Sequence, residues 1–157
     1  MRRHLRLRAW ALAGLVAAIV LAVDQLTKAL VRDDLQVGER RHVVAFLDLL
    51  RTTNEGVAFG ALGGGGVVVA LVVAAAIAGL LVYFALHATR PLAWLPTGML
   101  IGGSLGNVVD RVHDGHVTDF LKVPHWPAFN VADIAITLGV VVLLFVMERG
   151  DGAPRRV

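Results

Sequence analysis

The sequence predicts an all-α integral membrane protein: four transmembrane helices, with a small extracytoplasmic β element between the first and second. Three observations predict it. The 157 residues are 57% hydrophobic and only 17% charged, against roughly 45–50% and about 25% in an ordinary globular domain. The apolar excess is gathered into blocks, several of them near the length of about 20 residues that crosses a bilayer. Lys and Arg are unevenly shared among the connecting segments, as membrane topology requires. One membrane domain over residues 1–157 is expected.

The first span is placed at about residues 9–31. Four arginines precede an uncharged block, Ala9 to Val23, and so imitate a secretory signal peptide. No A-x-A-like cleavage site follows the block, and the pattern continues through "DQLTKALV". The segment is therefore expected to be retained, with Asp24, Gln25, Thr27 and Lys28 near one end. Residues 32–60 follow. Their "RRHVVAFLDLLRTTNEGVAFG" mixes β-formers with turn residues, which predicts a small sheet or hairpin on the membrane surface. "GGGG", Gly63 to Gly66, reads as a flexible entry to the second span, about 67–86. No charged side chain occurs between Glu55 and His87. The third span covers about 91–110 and the fourth about 128–147, with Asp133 near its start. Their β-branched residues are modest helix formers in water. In lipid a helix satisfies its own backbone and an open strand cannot.

Orientation follows from the loops. The N-terminal segment, Arg90 between the second and third spans, and Arg149, Arg155 and Arg156 share one side, which the positive-inside rule makes cytoplasmic. Residues 32–60, with four arginines against five acids, and about 111–128 fall outside. Net charge is +3 and mean hydropathy +0.71. Basic ends on a membrane chain report topology, so no nucleic-acid partner is expected. The absence of cysteine removes disulfides, thiolate metal sites and cysteine nucleophiles. No internal repeat is present.

With this topology Asp24, Asn54, Asn107, Asp110, Arg111, Asp119, Asn130 and Asp133 gather near the outer boundary. Asp24 and Lys28 are i, i+4. Asn107 with Asp110 or Arg111, and Asn130 with Asp133, are i, i+3 or i, i+4 pairs. Ionisable groups beside a span are expensive and usually face the bundle interior or a wet cavity. Structural readings stand beside the functional ones. Asp24 with Lys28 is also what a helix-tying ion pair looks like. Asp110 with Arg111 fits an interface salt bridge or a helix cap. Asn107 and Asn130 fit interhelical donors worth about 0.6–2 kcal/mol each. Asp119, in the short outer loop, and Asp133, just inside the next span, can approach closely. Two close carboxyl groups share protons, which is equipment for activating water against an amide.

Two patterns in the same region are decoys. "GGSLG", Gly102 to Gly106, matches G-x-S-x-G, but a nucleophile elbow needs a strand–turn–helix and Ser104 falls in a predicted helix. Gly102 and Gly106 instead form G-x-x-x-G, a close-packing motif; a serine nucleophile with Lys28 as base is the lesser alternative. "HDGH", His113, Asp114 and His116, reads as a solvated loop, its spacing being weak for a metal.

Five segments in order carry a family resemblance: "DQLTK" (24–28), "NEGVAFG" (54–60), "GGSLGNVVDR" (102–111), "VTDF" (117–120) and "FNVAD" (129–133). The chain resembles signal peptidase II, the bacterial lipoprotein signal peptidase, an intramembrane aspartyl protease. The resemblance implies Asp119 and Asp133 as the catalytic pair. It implies Asp24, Lys28, Asn54, Asn107, Asp110, Arg111 and Asn130 as supporting or substrate-contacting residues. It implies a diacylglyceryl-modified prolipoprotein as substrate, cut N-terminal to the lipidated cysteine, no metal or organic cofactor, and sensitivity to globomycin. The expected setting is the bacterial cytoplasmic membrane, in contact with lipid, as a monomer. The stretch between "VTDF" and "FNVAD" is shorter than the family's usual pattern, which bears on the periplasmic helix or flap expected there. The competing classes are a proton-coupled transporter, which usually places polar groups near the midplane, and a structural membrane protein.

Overall fold

The computed structural model describes residues 2–55 and 65–151. Among the described residues it holds four helices and one small sheet: α1 (Arg2–Asp34), β1 (Arg40–Val44), β2 (Leu47–Asn54), α2 (Gly65–His87), α3 (Trp94–Asp114), β3 (Val117–Lys122) and α4 (Val131–Asp151). Gly63 and Gly64 of the glycine run, residues 56–60 of "NEGVAFG" and the C-terminal Arg155 and Arg156 lie outside the described residues.

The solvent logic of a soluble protein is reversed. Lys28, Asp24, Asp110, Asp119 and Asn130 are buried, while Leu15, Ile19, Leu26, Leu30, Leu138, Leu144 and Phe145 are exposed. Burying charge costs several kcal/mol unless each group is paired, and exposing that much aliphatic surface to water is a liability. Both make sense where the outer solvent is lipid. By length and composition, α1 and α4 can each cross a bilayer, and α2 carries a shorter apolar stretch, Leu71–His87. α3 holds Asp110, Arg111 and Asp114 in its last turns, and its protection comes from neighbours: it packs most extensively on α1 and α4 and more lightly on α2.

Glycines set that close packing. A Cβ on Gly98 or Gly102 would stand 2.6 Å from the carbonyl oxygen of Ala13 or Ala17 in α1, and one on Gly103 would stand 2.6 Å from that of Ala132 in α4. The G-x-x-x-G reading of Gly102 and Gly106 is thus the structural one. A Gly102→Val substitution forces α1 from α3, because its obstacle is backbone. The expected cost is about 1–3 kcal/mol or more, read as a lowered Tm in detergent. Gly14→Ala, with nothing within 4 Å, should be neutral or slightly stabilising.

The sheet has the order β1-β2-β3, all antiparallel. It seats on the end of α1 through Val31, Leu35 and Phe120, with Leu49, Leu121 and Val131 around them. The Arg51 guanidinium donates to the carbonyls of Arg32 (3.0 Å) and Leu35 (2.8 Å), acceptors that a helix end leaves unsatisfied.

Several expectations need correction. Residues 32–34 are helical, since α1 outruns the apolar block at both ends. The apolar runs expected from 91 and 128 become helical only at Trp94 and Val131. The β element is the small sheet of the two readings, not the hairpin, and it is larger than residues 32–60 alone supply. Its third strand is β3, so Asp119 sits on a strand and not in a loop. β3 pairs with β2, some 65 residues earlier, at Thr52↔Asp119 and Asn54↔Val117, and local pattern carries no sign of that partner. Between β3 and α4 there is no helix, only turns and one bridge, Leu121↔Phe129.

Candidate active site

Each site residue is placed by a local device. Gly115 ends α3 in the left-handed conformation (φ 76°), its N–H bonded to the carbonyl of Arg111, a common helix stop that glycine allows without penalty. This is what the "HDGH" segment does. The chain then reverses into β3, and the Thr118 N–H donates to Asp110 at 2.9 Å. α4 begins with a reciprocal cap. The Asp133 N–H donates to Asn130 Oδ1 (3.0 Å), and the Asn130 N–H donates to Asp133 Oδ2 (3.2 Å). That is the capping-box arrangement, and it places Asp133 in the first turn, at the positive end of the helix. Asn54 ends β2 diagonally across from Asp119 on the same face, within reach of it.

Two linked networks result. The first is a buried ion cluster. The Lys28 ammonium donates to Asp24 (2.8 Å), Asp110 (3.1 Å) and Asn107 Oδ1 (3.1 Å), which uses all three of its protons. Asp24 also accepts the Ala132 N–H at 2.9 Å, joining α1 to the start of α4. Gln25 Nε2, with two protons to give, lies within hydrogen-bond distance of three acceptors, Asp110 (2.9 Å), the carbonyl of Gly106 (3.1 Å) and Asp24 (3.2 Å).

The second network holds the two carboxyl groups. Asn130 Nδ2 donates to Asp119 Oδ1 at 2.7 Å and to Asn107 Oδ1 at 3.1 Å. Asn107 Nδ2 donates to Asp133 Oδ1 at 2.9 Å, and Asn54 Nδ2 donates to Asp119 Oδ2 at 3.0 Å. Asn107 is therefore the joint: its oxygen faces Lys28 and Asn130, its nitrogen faces Asp133. Burial pushes the Asp119 carboxyl up to about 6; the donor on Asn54 opposes this, the negative charge of Asp133 adds to it, and Asn130 and Lys28 oppose it. Asp119 is deeply buried and Asp133 half-buried, so the pair has an open side.

Of the residues singled out from sequence, Asp24, Lys28, Asn54, Asn107, Asp110, Asp119, Asn130 and Asp133 are all joined by this bonding. Asp24 and Lys28 pair as their spacing suggested. Asp110 does not pair with Arg111 or Asn107. Its oxygens are taken by Lys28, Gln25 and the Thr118 N–H, with Arg32 at 3.9 Å. Arg111 instead donates to the backbone carbonyl of Asn107 at 3.1 Å. Sequence reasoning sets Gln25 near the end of the first span without a site role, and passes over Arg32, whose guanidinium reaches Asp114 and Thr118 Oγ1, each at 3.3 Å. A polar residue one position from Asp24 was the available signal for Gln25. Ser104 stands apart, lining an apolar cavity of about 490 Å³ with Ile77, Leu80, Ile136 and Val140. With its protons committed to Asp24, Asp110 and Asn107, Lys28 is poorly placed to serve Ser104 as a base.

The family match and the relatives agree on one family. Residues 16–148 match the family described as signal peptidase (SPase) II. The chain is 43% identical over 131 residues to a lipoprotein signal peptidase of Moorella thermoacetica, covering 82% of this chain and 87% of that one. It is 40% identical over 147 residues to one of Syntrophotalea carbinolica, covering 88% and 91%. It also superposes on a bacterial membrane enzyme solved by the in meso method at 1.9 Å, with TM-score 0.76 and 28% identity, over 86% of this chain and 91% of that chain. A match over residues 16–148, in a fold that buries its charges and turns its aliphatic side chains outward, leaves one assignment: the chain belongs to the signal peptidase II family.

Proposed function

We propose that this protein removes signal peptides from prolipoproteins as a membrane aspartic endopeptidase, with Asp119 and Asp133 activating the attacking water. The observation that carries the reading is the shared amide frame, in which Asn130 and Asn107, bonded to each other, link two carboxyl groups from separate segments. One proton between two such groups provides an acid and a base. The base takes a proton from water as its oxygen attacks the scissile carbonyl. The acid gives its proton toward the carbonyl oxygen. The tetrahedral intermediate then collapses, the C–N bond breaks, and the departing amine takes up a proton.

The substrate is a diacylglyceryl-modified prolipoprotein, cut N-terminal to the lipidated cysteine, in a single membrane domain with four crossings. The excess of Lys and Arg at the helix ends supports a topology with both termini in the cytoplasm and the carboxyl pair near the outer face of the bacterial cytoplasmic membrane. The enzyme works there as a monomer surrounded by lipid, with no nucleic-acid partner, and globomycin inhibits it. Asn54, bonded to Asp119, and Arg111, bonded to the carbonyl of Asn107, contact substrate. Asp24, Lys28, Asn107, Asp110 and Asn130 hold the frame.

The test is incubation of the purified protein with a diacylated precursor, with the released signal peptide read by mass spectrometry. Cleavage N-terminal to the lipidated cysteine is expected, and an unlipidated precursor should be a much poorer substrate. Ser104→Ala should keep activity within about twofold. A folded but inactive Ser104→Ala protein would restore the serine mechanism.

A further inference from the structure

The end of the bundle opposite the carboxyl pair lies about 22 Å along α1, at 1.5 Å per residue from Asp24 to Ala9. Two grooves meet there at the connection between α2 and α3. One, of about 450 Å³, is lined by Leu92, Val142, Phe145 and Val146, with Arg90 and Arg149 at its edge. The other, of about 280 Å³, is lined by Leu5, Leu12, Leu92 and Trp94, with Arg8 and Arg90. Among the described residues no carboxylate lines either groove, and Arg90 donates to the Tyr83 hydroxyl at 3.4 Å.

Leu92 is the ridge between them. It has φ 62°, left-handed backbone that a leucine adopts only under constraint. Backbone bonds on either side, Ala93 N–H to Arg90 and Leu95 N–H to Leu92, hold it there with its side chain half exposed. An aliphatic wedge with an apolar furrow on each side and guanidinium groups at the edge matches one ligand chemistry, a phosphodiester headgroup bearing two acyl chains. Guanidinium presents a planar fork suited to phosphate oxygens, and basic pockets between membrane helices commonly take anionic lipid headgroups.

We propose that this surface binds one anionic phospholipid, its phosphate between Arg90 and Arg149 and its acyl chains on either side of Leu92. In the proposed topology the lipid comes from the cytoplasmic leaflet. The site is independent of the peptidase chemistry.

The test is native mass spectrometry of the detergent-purified protein titrated with phosphatidylglycerol or phosphatidylcholine of matched chains. Wild type should retain one phosphatidylglycerol in clear preference, and millimolar inorganic phosphate should not displace it. The Arg90→Gln/Arg149→Gln protein should lose about fivefold in affinity for each arginine removed, while Arg90→Lys/Arg149→Lys keeps most of it. Arg149 is exposed on the last turn of α4, so Arg149→Gln alone supplies a variant without a folding cost, and its cleavage activity should match wild type. Equal retention of the two lipids by wild type, displacement by free phosphate, or undiminished preference in the Arg149→Gln protein would overturn the proposal.

Discussion

Asp119→Asn and Asp133→Asn are each expected to lower cleavage of a diacylated precursor by roughly 10⁴-fold, the upper end of what general acid–base catalysis contributes. The size of the effect follows from the pair acting as a unit, because the single carboxyl left by either substitution cannot serve as acid and base at once. The substitutions are nearly isosteric. In Asp133→Asn the side-chain oxygen can still accept from Asn107 Nδ2, but the new amide nitrogen faces the Asn130 N–H, donor to donor, so one capping hydrogen bond is lost at a cost of about 1 kcal/mol. In Asp119→Asn the oxygen can keep the short bond from Asn130, and Asn54, at the exposed end of β2, can turn aside. Both proteins should therefore accumulate in the membrane, Asp119→Asn with a Tm close to that of wild type and Asp133→Asn with one a few degrees lower. A well-folded Asn variant that retained a tenth of the activity would remove the pair from the chemistry.

Lys28→Met is expected to be the most destabilising single change in the site, by about 3–5 kcal/mol, because it leaves two buried carboxylates without their cation. Lys28, Asp24 and Asp110 are all withdrawn from solvent. The loss also frees Asn107 Oδ1, and with it the joint that orients Asp133. The check is chemical or thermal unfolding in detergent. The triple variant Lys28→Met, Asp24→Asn, Asp110→Asn should recover much of the lost stability, since it removes the unpaired charges together with their partner. Recovery of stability without recovery of activity separates a framework role from a chemical one. A Lys28→Met protein as stable as wild type would show the cluster to be inessential to the fold.

Much of this was legible in the chain because the informative contacts are local. Asp24 and Lys28 are one helical turn apart, and Asn130 and Asp133 have the spacing of a cap, so each pair could be read before any tertiary contact. Gly102 and Gly106 announced a close helix contact for the same reason. What was not legible depends on partners distant in sequence. β3 exists because β2 offers it an edge, and residues 117–122 alone contain too little alternation to announce a strand. Asp110 was matched with its sequence neighbour Arg111, whereas the fold delivers Lys28, Gln25 and the Thr118 N–H to it. Gln25 reads as an ordinary polar residue until Gly106 and Asp110 are seen beside it. The gathering of polar groups at one end of the bundle, with no internal repeat, also disfavours the transporter class, whose sites usually lie near the midplane.

The central claim is that the two carboxyl groups are electrostatically one unit. The direct measurement is the titration of the Asp119 side-chain carboxyl by ¹³C NMR in micelles, in wild type and in two variants. The negative charge of Asp133 favours a proton on Asp119, so Asp133→Asn should lower the midpoint. The Asn54 amide favours the ionised form, so Asn54→Ala should raise it. The account predicts a wild-type midpoint of about 6, displaced in those two opposite directions. A midpoint near the ordinary 3.8, indifferent to Asp133→Asn, would contradict it.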